Sequence, residues 1–337
     1  MQVLQNVSLK QYNTFGIDIT ARQFACFSNT EELQELLTAS AGQQQLILGG
    51  GSNLLFTNDF NGWVLKNEIK GVQRVSEDDT NVYVTVGAGE NWHQLVMQCV
   101  DSGWAGLENL SLIPGNAGAS PMQNIGAYGV EVKDVIHEVK AWHKEDRQLV
   151  TFSNAACEFG YRESVFKQKY KNQFVILSIT YRLRKHPQFH TSYGAIQKEL
   201  EAMGVQELSI RSVADAVIRI RSSKLPDPAQ IGNAGSFFKN PSVSKEQYRQ
   251  LKAAFPLLVA YENSDGTWKL AAGWLIEQCG WKGFRRGDAG CHAQQALVLV
   301  NYGLATGAEI FQLSEEIQQS VLNKFGVLLE REVNIVC

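Results

Sequence analysis

The sequence predicts an α+β fold of about two domains, and three observations carry that expectation. Strand-like and helix-like runs follow one another without the strict βαβ alternation of a parallel sheet. The length of 337 residues is more than one average domain needs and leaves ample chain for a buried core. Two stretches dense in small residues, 49–55 and 113–129, interrupt these runs as loops.

The elements read as follows. Ser28-Asn29-Thr30-Glu31 has capping-box spacing, and Leu33, Leu36 and Leu37 follow at helical intervals. Residues 46–48, 63–66 and 82–86 read as strands, the last with period-two, β-branched character. Residues 91–101 read as a helix with Trp92, Leu95, Val96 and Cys99 on one side. In 135–142, Val135, His137, Val139 and Ala141 alternate with Ile136, Glu138, Lys140 and Trp142. In 174–183 the set Val175, Leu177, Ile179, Tyr181 and Leu183 is wholly apolar, as on a half-exposed sheet. A boundary is expected at 185–193, where Pro187, two histidines and a Thr-Ser pair break the pattern.

Ser212 then opens a helix running to about Ser222, with Val213, Ala216, Val217 and Ile220 inward. Further helices start at Ser244 and at Thr306. The second has Glu309 at capping-box spacing, an apolar face of Ile310, Leu313, Ile317 and Val321, and Gly326 at its end. Residues 296–301 and 330–335 are strand-like.

Composition narrows the function. With 44% hydrophobic and 19% charged residues the chain is an ordinary globular one, and a net charge of −3 gives no reason to expect nucleic acid as a partner. The first residues lack an apolar core of signal-peptide length, and no run approaches the ~18 apolar residues of a membrane span, so a cytoplasmic protein is expected. Six cysteines (26, 99, 157, 279, 291 and 337) occur without a C-x-x-C pair, which favours reduced, buried thiols. His186 and His190 are separated by Pro187, so a helical metal face is not expected and no metal is assigned.

The second glycine stretch, IPGNAGASPMQNIGAYG, carries four glycines and no charge. It reads as backbone offered to a ligand, because glycine admits positive φ and close approach, and successive amides can form a concavity for a pyrophosphate. The first, GGGSNLL, follows the apolar run 46–48. Neither is a standard nucleotide fingerprint. A G-x-G-x-x-G would need glycine where Leu54 or Trp92 stands, and a P-loop needs a Gly-Lys pair that the chain lacks.

Six motifs in order, NTFG at 13–16, GGGSNLL at 49–55, IPGNAGASPMQNIGAYG at 113–129, GYRESVF at 160–166, NAGSFFKNP at 233–241 and the late EREV at 330–333, span nearly the whole chain. Together they resemble the UDP-N-acetylenolpyruvoylglucosamine reductase family, flavoproteins that make UDP-N-acetylmuramate for peptidoglycan. Tyr193, in TSYGAI, points to the branch with an extra tyrosine loop. The resemblance implies a vanillyl-alcohol-oxidase-like FAD-binding fold over 1–187, in subdomains of about 1–67 and 68–187. It also implies a separate α+β substrate-binding region over 188–337, whose last strand (328–337) could return to the FAD domain.

The same resemblance implies non-covalent FAD, NADPH as reductant, UDP-N-acetylglucosamine enolpyruvate as substrate, and a monomer. It assigns FAD contacts to Gly49, Gly50, Gly51, Ser52, Asn53 and Leu54, and to Pro114, Gly115, Ala117, Gly118, Ala119, Gln123, Asn124, Gly126, Ala127 and Tyr128. Substrate contacts fall on Tyr161, Tyr193, Lys224, Asn240 and Gln295.

The catalytic assignments, Arg162, Ser236 and Glu332, make chemical sense. A guanidinium meets a carboxylate bidentately and keeps its charge, which suits Arg162 to orient the substrate and stabilise an enolate-like state; the alternative is an ion pair with Glu163. Ser236 would donate a proton to a strongly basic carbon, against the reading of a plain turn serine. Glu332, if protonated, would hydrogen-bond the enolate, against a surface charge beside Glu330 and Arg331. For Lys224 a helix-terminal charge facing the macrodipole competes. The chain has Asn334 where the family commonly has arginine, which puts that side chain's contact in doubt. A flavin oxidase of the same fold and a non-catalytic nucleotide-binding protein remain as alternatives. The absence of histidine from both glycine stretches disfavours the first, and the joint presence of Arg162, Ser236 and Glu332 disfavours the second.

Overall fold

The computed structural model describes residues 2–193 and 195–337. By compactness the chain divides into two units, one of Met1–Val7, Ala21–Gly50 and Asn61–Ser223, the other of Ser8–Thr20, Gly51–Phe60 and Lys224–Cys337. Among the described residues no helix is long and apolar enough to cross a membrane.

The first unit holds two sheets of four or more strands. One has the order Leu4–Ser8, Thr20–Phe27, Phe60–Asn67, Gln45–Leu48, with the last two strands parallel. Helix Thr30–Ala39 supplies Leu33 and Leu36 to the cluster on this sheet. Its cap differs from the expectation by one residue. Asn29 is the N-cap and accepts from the Glu32 amide, while the Glu32 carboxylate reaches back to the Ser28 amide. Both spacings exist in the sequence, and asparagine caps at least as well as serine.

The second sheet is antiparallel, in the order Gln148–Ser153, Ile136–His143, Phe174–Arg184, Asn81–Gly87, Val72–Glu77. Strict alternation fails on its two longest strands. Their register shifts between Ile136 and Glu138 and again between Lys140 and Ala141. Each bulge adds a residue to one strand and exchanges its faces. Val175 and Leu177 therefore join the cluster around Phe27 and Trp63, whereas Ile179, Tyr181 and Leu183 join the one around Trp92. Ile136, on the far side of the first bulge, likewise shares a cluster with Val139 and Ala141.

Helix Trp92–Asp101 buries the expected face against this sheet. Helix Ile210–Lys224 begins two residues before the expected Ser212, because Ser209 and Ser212 cap one another reciprocally. Its Ile210 and Ala214 enter the sheet's cluster, and Ala216, Val217 and Ile220 pack on Ile196 and Leu200. This burial groups residues 188–223 with the first unit, beyond the boundary expected at 185–193.

The second unit is built from short strands and one long helix. Gly232–Asn233, Leu299–Asn301, Ala289–Cys291 and Arg285–Arg286 form one antiparallel sheet, and Ser242–Val243, Trp268–Leu270 and Ala260–Glu262 another. Helix Gly307–Phe325 has the expected Thr306–Glu309 capping box, buries Ile310, Leu313, Ile317 and Val321, and ends on left-handed Gly326. Strand Asn334–Val336 lies parallel to Leu54–Phe56. The six cysteines are free; burial pushes the thiols of Cys99, Cys157 and Cys291 up to about 12, and Cys337 is exposed.

Candidate active site

In the first unit the two glycine stretches touch backbone to backbone. A methyl group at Gly50 would stand 2.8 Å from the Gly115 Cα, and one at Gly118 would stand 2.7 Å from the Ala88 Cβ. The second stretch is sewn to residues 88–92: Trp92 N donates to Gly115 O (3.0 Å), Ala117 N to Glu90 O (2.8 Å) and Gly118 N to Ala88 O (2.9 Å). At Gly50 and Gly118 neighbouring protein atoms exclude a side chain, so packing within the protein already requires glycine there. Gly49 differs, since a methyl there would meet just the Asn116 Cβ at 3.9 Å.

The rest of the stretch is equally fixed. Ala117–Ala119 forms a single 3-10 turn, and the buried Ser120 hydroxyl lies 2.8 Å from the Tyr181 hydroxyl. Gly126–Ala127 pairs with Val130–Glu131 around Tyr128 (φ 51°) and Gly129 (φ 81°). Two positive φ values at the tip are those of a type I′ hairpin. Sequence reading missed this hairpin because Tyr-Gly is a weaker turn signal than Asn-Gly.

Arg162 docks on this hairpin. Its Nη2 donates to Gly126 O (2.8 Å) and its Nη1 to Asn124 O (3.4 Å), while its own backbone is left-handed (φ 57°). Asn124, also left-handed (φ 46°), donates to Gly160 O and Glu131 and accepts from Lys133 N. Ser164 Oγ donates to Met122 O (2.6 Å), so GYRESVF is laced along 122–126. Tyr161 lies under the Arg162 guanidinium at 5.3 Å and is exposed, and the exposed Tyr193 packs beside Gly129. Pro114 and Ala119 are exposed, and Gln123 is half-buried.

In the second unit Gly51 is left-handed (φ 63°), and a side chain there would overlap the Tyr12 carbonyl. The Asn13 side chain closes its own turn through Leu9 O, Ile17 O and Ile17 N, which gives NTFG a structural role. Asn53 is tied to the late segment twice. Its Nδ2 donates to Glu332 O (3.2 Å), and its carbonyl accepts from both Asn334 N and Asn334 Nδ2 (3.1 Å each). Ser52 and Leu54 flank it, half-buried.

Ser236 sits in a loop set by left-handed Gly235 (φ 72°), whose amide donates to Asn233 Oδ1. Phe237 N donates to Leu297 O (2.7 Å), and Glu332 N donates to Phe237 O (2.8 Å). Ser236 and Glu332, distant in sequence, thus stand on hydrogen-bonded neighbouring backbone. Lys239, 6% exposed, pairs with Glu330 at 2.6 Å. Asn240 Oδ1 accepts from Ala272 N, Gln295 is half-buried near Gly273, and Lys224 is the exposed last residue of its helix.

The structure brings Arg162 to the second glycine stretch, and Ser236 to Glu332 and Asn53. Sequence reading missed three groups. Arg221 donates Nε–H to Leu112 O (3.2 Å) and hydrogen-bonds Tyr128. His93 Nδ1 accepts from Leu112 N (3.1 Å), and its pKa is held below the usual value by burial and by the Arg221 charge. Lys239 is the third. One signal was readable: Arg221 falls four residues after Val217, on the stripe that faces inward.

Residues 21–153 match the family described as FAD binding domain, and residues 227–336 match the UDP-N-acetylenolpyruvoylglucosamine reductase C-terminal domain. The UDP-N-acetylenolpyruvoylglucosamine reductase of Flavobacterium johnsoniae is 49% identical, with 100% of both chains covered. That of Pseudomonas aeruginosa is also 49% identical, with 99% of each covered. The crystal structure of UDP-N-acetylenolpyruvylglucosamine reductase from Thermus caldophilus superposes with a TM-score of 0.70 at 23% identity, covering 100% of each chain, which shows a shared fold. The residues fit FAD: open glycine backbone at 49, no acidic side chain within either stretch, and a guanidinium bonded to both ends of the second.

Proposed function

Since the chain belongs to the UDP-N-acetylenolpyruvoylglucosamine reductase family and is an FAD-dependent oxidoreductase of peptidoglycan synthesis, we propose that it turns UDP-N-acetylglucosamine enolpyruvate into UDP-N-acetylmuramate in the cytoplasm, as a monomer, with NADPH as reductant. Bound FAD, held non-covalently by 49–54 and 114–128, supplies a two-electron carrier between nicotinamide and the vinyl carbon of the substrate.

The chain's own residues do the rest. Arg162 keeps a permanent charge and takes its direction from the Asn124 and Gly126 carbonyls, so it is pre-aimed for a carboxylate. Its role is to orient that group and to stabilise the negative charge that develops on the adjacent carbon. Ser236 donates its hydroxyl proton to that carbon, and Glu332 hydrogen-bonds the enolate. Tyr193 and Lys224 contact the nucleotide diphosphate, Asn240 (on the loop of Ser236) and Gln295 make further substrate contacts, and Tyr161 steadies the substrate beside Arg162. The observation that carries this reading is the Glu332 N to Phe237 O bond, which holds a carboxyl and a hydroxyl on adjacent backbone.

The test is anaerobic. NADPH should bleach the flavin absorbance, and adding UDP-N-acetylglucosamine enolpyruvate should restore it. A flavin that stays reduced until oxygen enters would instead support an oxidase. Ser236→Ala should leave bleaching nearly intact and slow the restoration by roughly 100-fold or more, the usual worth of a positioned proton donor. Equal loss in both halves would remove Ser236 from the proton step. Parallel initial-rate lines are expected, because the two nucleotides react in turn.

A further inference from the structure

Arg221 is a partly buried cation whose charge meets no carboxylate among the described residues. Its partners are neutral: the Leu112 carbonyl at 3.2 Å and the Tyr128 hydroxyl. Both partners are left-handed, Leu112 at φ 57° and Tyr128 at φ 51°, and they bracket the second glycine stretch. Its neighbour His93 contributes no negative charge, since its Nδ1 is an acceptor for Leu112 N.

A guanidinium removed from water is costly unless an anion or a full set of hydrogen bonds replaces its hydration. A carbonyl and a phenol satisfy part of the fork and none of the charge. The stretch they bracket has no acidic side chain to complete the pairing. Planar forked donors are the usual partner of phosphate oxygens. We propose that Arg221 is an anion-binding residue that takes a phosphate group of a bound nucleotide beside residues 112–128. This rests on the nucleotide-binding part of the reading above and not on its chemistry.

Two nucleotides could bring that phosphate, and binding alone separates them. Wild type and Arg221→Gln are stripped of flavin and titrated with FAD and with riboflavin, followed by flavin fluorescence. The reconstituted proteins are titrated with UDP and with uridine. If the phosphate is the cofactor's, Arg221→Gln weakens FAD about 10-fold or more and leaves riboflavin unchanged, the size expected for a lost charge-assisted bond. If it is the substrate's, UDP weakens in that way and uridine does not. Equal weakening of each nucleotide and its phosphate-free counterpart, or no change in either pair, overturns the proposal and leaves Arg221 a brace for the loop. Should Arg221→Gln not fold, Arg221→Lys carries the same comparison, with a few-fold selective loss expected and an equal loss overturning it. A wild-type protein that binds FAD but fails to reduce the enol ether would sink the proposed reaction without touching this result.

Discussion

Arg162 is held in a backbone conformation that a side-chain-bearing residue adopts at a cost of order 1–2 kcal/mol. Leu112, Asn124 and Tyr128, in or beside the glycine stretch, share that left-handed conformation. Such strain persists where surrounding bonds over-determine it, and here the Arg162 guanidinium donates to Asn124 O and to Gly126 O of the hairpin. Arg162→Gly should therefore be more stable than Arg162→Ala by about 1 kcal/mol in urea unfolding, while both lose restoration of the flavin by substrate. His93 makes a second prediction. Its depressed pKa means that the unfolded chain takes up a proton at higher pH than the native one. Its contribution to stability is thus full above about 6.5 and is lost as pH falls from there through the native value. His93→Gln should flatten that part of the stability profile, as read from urea midpoints between pH 7 and 5.

Secondary elements differ in how far the sequence announces them. Helix Gly307–Phe325 was legible end to end, because cap, apolar stripe and left-handed stop are all local signals. The bulges in Ile136–His143 and Phe174–Arg184 were not, since a register shift belongs to the pair of strands and neither strand encodes it alone. Two- and three-residue strands such as Gly232–Asn233 are too short for any periodicity to show. For the site, the motif strings marked the loops that matter, but Arg221 was passed over inside an otherwise ordinary amphipathic helix. Gly307 shows why propensity misleads at such a point. Alanine is the better helix former by about 1 kcal/mol, yet a methyl at 307 would overlap the Phe56 carbonyl. Gly307→Ala should lower stability by roughly 1–3 kcal/mol in thermal or urea unfolding, as overpacking does. A neutral or stabilising outcome would mean that strand Leu54–Phe56 yields easily.

Across the whole chain, neither unit is continuous in sequence, and the second gathers 8–20 and 51–60 to the region from 224 onward. A linear reading cannot find that, because the apolar pattern of 51–60 resembles that of its sequence neighbours. The link is the parallel pairing of Leu54–Phe56 with Asn334–Val336, reinforced by the Asn53–Asn334 and Asn53–Glu332 bonds. Removing residues 334–337 should weaken FAD about 10-fold or more in fluorescence titration, through loss of the bonds that set Asn53. Unchanged affinity would show that the loop holds its shape unaided. Asn334→Ala tests the side chain alone, with a loss of about 1 kcal/mol in stability expected for one hydrogen bond.

That pairing also has a history in time. The Asn53 side chain and the Glu332 carbonyl it meets are 279 positions apart in the chain. A ribosome adding about 5–20 residues per second leaves the loop around Asn53 exposed and without its partner strand for many seconds. Until residues 332–336 have been made, this loop lacks the strand and the bonds that set it in the folded chain.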